Sequence, residues 1–127
     1  MQALGRQLLV KFFDCDKDIL LDEHAIRKAL IEACVIGKAT VVTDTFHSFS
    51  PHGVSGVVVI AESHVAIHTW PEYGYAAVDI FTCGQTIEPW DLFHHLEKCF
   101  KSQHSSKMEL RRGLFDNGDE PLKHKPD

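Results

Sequence analysis

Short runs of apolar and β-branched residues, separated by turn signals, occupy most of the chain and are typical of β-strands. The run Val57–Ile60 has no polar interruption, which predicts a strand buried on both faces. Turns are indicated at Pro51-His52-Gly53 and again at Pro71-Glu72-Tyr73-Gly74. The strands predicted from this pattern cover residues 7–13, 39–49, 54–61, 65–70, 75–81 and 105–112.

Two segments follow a helical period instead. The first extends from His24 to about Val35, with Asp22 placed to cap its start and Gly37 placed to end it. The second begins at Glu88-Pro89, since proline is favoured in a first helical turn. Its apolar stripe consists of Leu92, Phe93, Leu96, Cys99 and Phe100.

The order β-α-β-β-β-β-α-β predicts an α+β fold, a two-layer sandwich with a mostly antiparallel sheet and both helices on one face. The other face of the sheet then needs a cover, and the chain has no third predicted helix to supply it. We therefore expect a homodimer in a four-layer αββα arrangement. Residues 1–115 form the single predicted domain, and the polar residues 116–127 are predicted to be a flexible tail.

Composition and charge narrow the classes of function. The net charge of −5 argues against a nucleic-acid partner, which usually binds a basic surface. No apolar run approaches the roughly 18 residues of a membrane span, and residues 1–9 do not resemble a signal peptide. The four cysteines have no CxxC spacing, so we expect reduced thiols and a cytoplasmic protein without a membrane partner.

Histidine and cysteine side chains are the candidate metal ligands and nucleophiles of this sequence. His64 and His68 would chelate zinc on a helix, but on the predicted strand they lie about 13 Å apart, so no metal site is predicted. Cys83 ends a predicted strand before Gly84 and is either a nucleophile or a small buried side chain. The remaining cysteines, assigned to packing, are Cys15, Cys34 and Cys99.

Glu62 and Ser63 are two polar residues between two apolar strand runs, where a hairpin turn is the ordinary explanation. The surrounding segment reads GVSGVVVIAESHVAIHTWPEYGYAAVDIFTCG over residues 53–84. It resembles the short, pyruvoyl-dependent S-adenosylmethionine decarboxylases of prokaryotes, and the pattern continues at residues 46–49 and 1–6. Val65 and Ala66 depart from the family's usual residues, both conservatively for a strand.

The resemblance implies a proenzyme that cuts itself between Glu62 and Ser63, giving a β chain of residues 1–62 and an α chain of residues 63–127. Ser63 would become a covalent pyruvoyl group, the cofactor of this family, with no metal and no pyridoxal phosphate. His68 matches the base that removes the Ser63 α-proton, which suits an imidazole. Ser55 matches a second processing residue that hydrogen-bonds the carbonyl under attack.

The resemblance also implies the reaction and its pocket. The pyruvoyl carbonyl would form a Schiff base with the amine of S-adenosylmethionine, and Cys83 matches the donor that reprotonates the substrate carbon after CO₂ leaves. Phe49 and Trp70 are the candidates for stacking on the adenine and the sulfonium cation. Glu72 is the candidate for accepting hydrogen bonds from the ribose, and the product serves polyamine synthesis.

Two alternatives stay open at this point. A sister pyruvoyl-dependent decarboxylase acting on arginine or ornithine would carry the same self-cleavage residues and differ only in its pocket. A non-enzymatic dimeric α/β binding module would remain one intact chain of 14.3 kDa without a reactive carbonyl.

Overall fold

The fold is a six-stranded antiparallel sheet with helices on one face, seen in a computed structural model that describes residues 2–123. The strand order is β2-β3-β4-β5-β1-β6, and every pair of neighbours is antiparallel. This confirms the predicted α+β class. The strands are β1 (Gln2–Phe13), β2 (Val41–Ser48), β3 (Val54–Ile60), β4 (Ser63–Trp70), β5 (Tyr75–Cys83) and β6 (His104–Phe115), and the helices are α1 (Lys17–Leu21), α2 (Glu23–Ile36) and α3 (Pro89–Cys99).

Strand alternation divides the side chains between a helix-covered face and an open face. Leu8 and Val10 of β1 are buried in the core, whereas Leu9 between them is 39% exposed. The helices complete this core with apolar residues at helical spacing, among them Ile26, Leu30 and Leu92. The open face carries exposed apolar residues from four strands, namely Leu9, Val59, Trp70, Met108 and Leu110.

The apolar run in β3 is therefore covered on one face only. Val58 and Ile60 are buried against the helices, while Val59 is 38% exposed on the open face. The prediction of burial on both faces is wrong for a single chain, because no element of residues 2–123 covers that side of β3. Val59 is thus exposed in the single chain, on the open face that the expected homodimer would cover.

The predicted caps of α2 are confirmed, but the short helix α1 was not predicted. The Asp22 side chain accepts a hydrogen bond from the Ala25 N–H, and Gly37 ends the helix. In the acidic stretch of residues 14–18, the Asp16 carboxylate accepts from the N–H groups of Asp18 and Ile19 and so starts α1. A single turn is too short to produce a periodic apolar pattern in the sequence.

Strand β1 begins five residues earlier than predicted. Its first residues pair with β6 alone, and from Gly5 onward β1 pairs with both β5 and β6, so backbone pairing extends the strand beyond its apolar run. Gly5 fits there because a Cβ atom would lie only 2.5 Å from the Phe81 ring. This extension brings Gly5 directly opposite Cys83, at the end of the sheet that carries the candidate cleavage site.

Part of the predicted flexible tail is hydrogen-bonded to β1. The Gln2 amide donates to the carbonyls of Gly118 and Glu120 and accepts from the Leu122 N–H. Residues 124–127 of that tail lie outside the described residues, so its flexibility stays a prediction. Among residues 2–123, no helix is long and apolar enough to cross a membrane.

Candidate active site

The candidate cleavage site lies in the tight connection between β3 and β4. Ala61 and Glu62 form the turn, and Ser63 is the first residue of β4, not part of the turn as predicted. Thr40 anchors this turn from outside, since its carbonyl accepts from the Ala61 N–H and its own N–H donates to Glu62 Oε1 at 3.1 Å. The peptide bond between Glu62 and Ser63 is thus held at the edge of the core.

Ser63 and Cys83 are brought together by the pairing of β4 with β5. Ser63 lies opposite Thr82, which places Cys83 beside it, and Ser63 Oγ is 3.3 Å from Cys83 Sγ. Both residues are buried, at 7% and 9% exposure. The Glu62 carbonyl accepts a hydrogen bond from the Cys83 N–H at 2.9 Å. The carbonyl that Ser63 would attack is therefore already polarised by a backbone donor.

Ser55 and His68 form a second pair, on the open face of the sheet. They are direct cross-strand neighbours in β3 and β4, and Ser55 Oγ lies 2.7 Å from His68 Nδ1. The position of His68 within β4, four residues after His64, confirms the strand geometry that argued against a shared zinc. The two processing residues inferred from the resemblance are thus hydrogen-bonded to each other.

The predicted substrate-binding residues lie around a groove beside this second pair. A cavity of about 270 Å³ is lined by Phe49, His52, Gly53, Ser55, His68, Thr69, Trp70 and Glu72. Trp70 stacks obliquely on Tyr75, with ring centroids 5.3 Å apart. The single-turn 3₁₀ helix Pro71–Tyr73 presents the Glu72 carboxylate at the rim of the groove. Phe49, Trp70 and Glu72 therefore share one cavity with Ser55 and His68.

His52 is the residue that sequence reasoning missed in this groove. Its Nε2 lies 3.2 Å from Glu72 Oε2, so it holds the carboxylate expected to meet the ribose. The sequence marks His52 only as a turn residue between Pro51 and Gly53. The two partners are twenty positions apart, and only the folding of the β3–β4–β5 meander brings their turns to the same end of the sheet.

The two pairs do not meet within one chain. Ser63 and His68 are five positions apart in the same strand, which corresponds to about 17 Å between their Cα atoms. No side chain is long enough to close that distance. The structure therefore places the nucleophile with Cys83 and the processing base with Ser55 and the groove, at opposite ends of β4.

The other cysteines occupy packing positions to different degrees. Cys15 and Cys34 are buried in the core, and burial raises the pKa of both thiols to about 11. Both therefore stay protonated at neutral pH, as expected of packing residues. Cys99 is only half-buried at the edge of the core, and its Sγ lies 3.3 Å from Nε2 of His95, one turn earlier on α3.

Three comparisons with known proteins agree with this arrangement. The sequence profile described as S-adenosylmethionine decarboxylase matches residues 6–113. The S-adenosylmethionine decarboxylase proenzyme of Thermotoga petrophila is 51% identical over 91% of this chain and 89% of its own length. The proenzyme of the same name from Acetivibrio thermocellus is 50% identical over 97% of both chains.

A solved structure shares the fold as well. The crystal structure of the adenosylmethionine decarboxylase from Aquifex aeolicus superposes with a TM-score of 0.88 at 30% sequence identity, covering 95% of this chain and all of that one. A profile match over most of the chain, together with relatives of half-identical sequence, defines the class of protein. The chain belongs to the S-adenosylmethionine decarboxylase family.

Proposed function

We propose that this protein is a self-processing, pyruvoyl-dependent decarboxylase that converts S-adenosylmethionine into the aminopropyl donor for polyamine synthesis. One observation carries the proposal most strongly. Ser63 Oγ lies against Cys83 at a turn whose Glu62 carbonyl accepts the Cys83 N–H, in a family whose relatives are named as proenzymes. We place the reaction in the cytoplasm and without a nucleic-acid or membrane partner.

Processing begins with Ser63 Oγ attacking the carbonyl carbon of Glu62. The C–N bond breaks as the C–O bond forms, so the amide becomes an ester, and the Cys83 N–H stabilises the charge that develops on the Glu62 oxygen. Removal of the Ser63 α-proton then expels the Glu62 carboxylate and leaves a dehydroalanine. The dehydroalanine tautomerises to an imine. Water hydrolyses this imine with release of ammonia, which leaves a pyruvoyl group at the start of the chain of residues 63–127.

The α-proton needs a base, and the base within the same chain is too far away. His68 lies about 17 Å along β4 from Ser63. We therefore assign the His68 and Ser55 that act on each Ser63 to a second copy of the chain. The exposed apolar residues of the open face, including Val59 and Met108, support a homodimer that buries this surface.

Decarboxylation uses the same two clusters. Once formed from Ser63, the pyruvoyl carbonyl supplies the electron sink that a departing CO₂ requires. Cys83 Sγ, 3.3 Å from Ser63 Oγ, is placed to return a proton to the substrate carbon. The burial of this thiol limits access of water to the reacting atoms.

The groove around Glu72 fits the rest of the substrate. Phe49 and Trp70 are about half exposed and offer aromatic faces for the adenine and the sulfonium cation. The Glu72 carboxylate, held by His52, accepts hydrogen bonds from the two ribose hydroxyls. An acidic side chain at this rim also favours a cationic ligand over a neutral one.

Intact mass and a substrate panel test the proposal together. We expect two chains, residues 1–62 and residues 63–127 with a blocked N-terminus, and release of labelled CO₂ from S-adenosylmethionine. Release only from arginine or ornithine would assign the protein to a sister decarboxylase. A single uncut chain of 14.3 kDa after long incubation, with no CO₂ from any substrate, would contradict self-processing and favour a binding module.

A further inference from the structure

A cluster of three potential metal ligands lies between α2 and α3, on the opposite side of the sheet from the groove. Glu32 extends from α2, while His95 and Cys99 lie one turn apart on α3. The carboxylate oxygen, the ring nitrogen and the sulfur all lie within 4.8 Å of one another. None of the three belongs to the proposed active site.

Two of the separations between these atoms are close to those around a tetrahedral zinc ion. His95 Nε2 is 3.4 Å from Glu32 Oε1 and 3.3 Å from Cys99 Sγ. Bonds of about 2.0–2.3 Å to nitrogen, oxygen and sulfur, at tetrahedral angles, place neighbouring ligand atoms roughly 3.4–3.6 Å apart. The third pair, Glu32 and Cys99, lies within 4.8 Å, so side-chain rotation is needed to bring all three atoms onto one ion.

One ring nitrogen is the common neighbour of the other two side chains. His95 Nε2 faces both the carboxylate of Glu32 and the thiol of Cys99. The single hydrogen or lone pair of that nitrogen serves one of these neighbours at a time. A cation bound by all three atoms engages the nitrogen, the carboxylate and the sulfur together.

The surroundings leave room for a further ligand. A cavity of about 280 Å³ opens beside His95 and is lined by Ile36, Asp91, His94, His95 and Lys98. Asp91 lies one helical turn before His95, so Asp91, His95 and Cys99 share one face of α3. A water molecule in this cavity is able to complete a four-coordinate ion.

Metal binding at this cluster has a measurable consequence. A metal ion binds the thiolate form of cysteine, so its binding to Cys99 displaces the thiol proton into solution.

We propose that Glu32, His95 and Cys99 form a zinc site that clamps α2 to α3, separate from the decarboxylase site. A mixed carboxylate, imidazole and thiolate set is suited to Zn²⁺ and is unsuited to Mg²⁺ or Ca²⁺, which prefer oxygen ligands. The three donors come from two helices, so the bound ion stabilises their packing in the folded chain.

The test uses the full-length processed protein after treatment with a chelator. Zn²⁺ is titrated in competition with a chromogenic chelator, and Co²⁺ is used as a spectroscopic probe of sulfur ligation. We expect one Zn²⁺ per chain, release of a proton, a higher melting temperature and a thiolate-to-Co²⁺ absorption band. Cys99→Ser should remove the band and weaken binding at least about tenfold, and Glu32→Gln should weaken it similarly.

The matched control is His24→Gln, an exposed histidine on α2 that lies eight residues before Glu32, about 12 Å away along the helix. It should bind both metals as the wild type does. Equal affinity in the wild type, Cys99→Ser and Glu32→Gln would place any binding elsewhere and overturn the proposal, as would no binding at all. Decarboxylase activity does not enter this test, so its outcome is independent of the proposed function.

Discussion

The two ends of β4 carry two groups of chemical residues, and they differ in how completely one chain builds them. At the Ser63 end, the serine and Cys83 are buried and already in contact, and the Glu62 carbonyl has its donor. At the His68 end, the histidine and Trp70 are exposed beside an open groove. The Ser63 end therefore has its nucleophile, thiol and carbonyl donor in contact within one chain but lacks a base, whereas the base at the His68 end is left exposed and without a nucleophile in reach.

The largest expected effect comes from removing the nucleophile at the buried end. Ser63→Ala has no oxygen to attack the Glu62 carbonyl and no β leaving group, so neither cutting nor decarboxylation should occur. Intact mass should show one chain at every time point, and the labelled-CO₂ assay should give no signal above background. Ser105→Ala, which removes a hydroxyl bonded to Glu97 on the helix side of β6, is the control and should be cut normally.

Cys83→Ala separates the two roles of that residue. The backbone N–H that holds the Glu62 carbonyl remains, so cutting should proceed, but the proton donor is lost. We expect kcat to fall by about 10²–10⁴-fold, the usual contribution of a general acid. Steady-state kinetics on the cut protein measure this, with Ser105→Ala as the control. An uncut Cys83→Ala chain would mean that the thiol itself takes part in processing.

The smallest effect is expected at the exposed end, in the groove. Glu72→Gln keeps the shape of the side chain but weakens its hydrogen bonds to ribose, because bonds to a charged acceptor are about twice as strong. We expect KM for S-adenosylmethionine to rise by roughly tenfold, equivalent to about 1.4 kcal/mol, with kcat little changed. A fall in kcat at constant KM would remove Glu72 from substrate binding.

Much of this fold could be predicted from local sequence. The apolar runs located all six strands, and the residues Asp22, Gly37 and Pro89 marked the bounds of two helices. The helix α1 was missed because a single capped turn is too short to show a helical repeat of apolar residues in the sequence. The start of β1 was missed because its first residues are held by pairing with β6, at the other end of the chain, and only from Gly5 also with β5.

The site was less accessible to sequence reasoning, since its geometry depends on strand register. The family motif identified Ser55 and His68 as candidates. The pairing of β3 with β4 makes them neighbours and places Ser55 Oγ 2.7 Å from His68 Nδ1. Because Ser63 and His68 lie in one extended strand, they are held about 17 Å apart, and this separation could not be predicted while the strand was assumed to begin at Val65. The Glu32–His95–Cys99 cluster joins residues of two helices far apart in sequence, and no spacing motif links them.

The most direct test of the split site is complementation between two inactive chains. Ser63→Ala and His68→Ala should each remain uncut when expressed alone. When they are co-expressed, a mixed dimer contains one site that joins the Ser63 of the second variant to the His68 of the first. We predict that the His68→Ala chain, and only that chain, is then cut and that CO₂ release returns. If His68 served the Ser63 of its own chain, both chains would stay intact in every mixture, and that result would contradict the account.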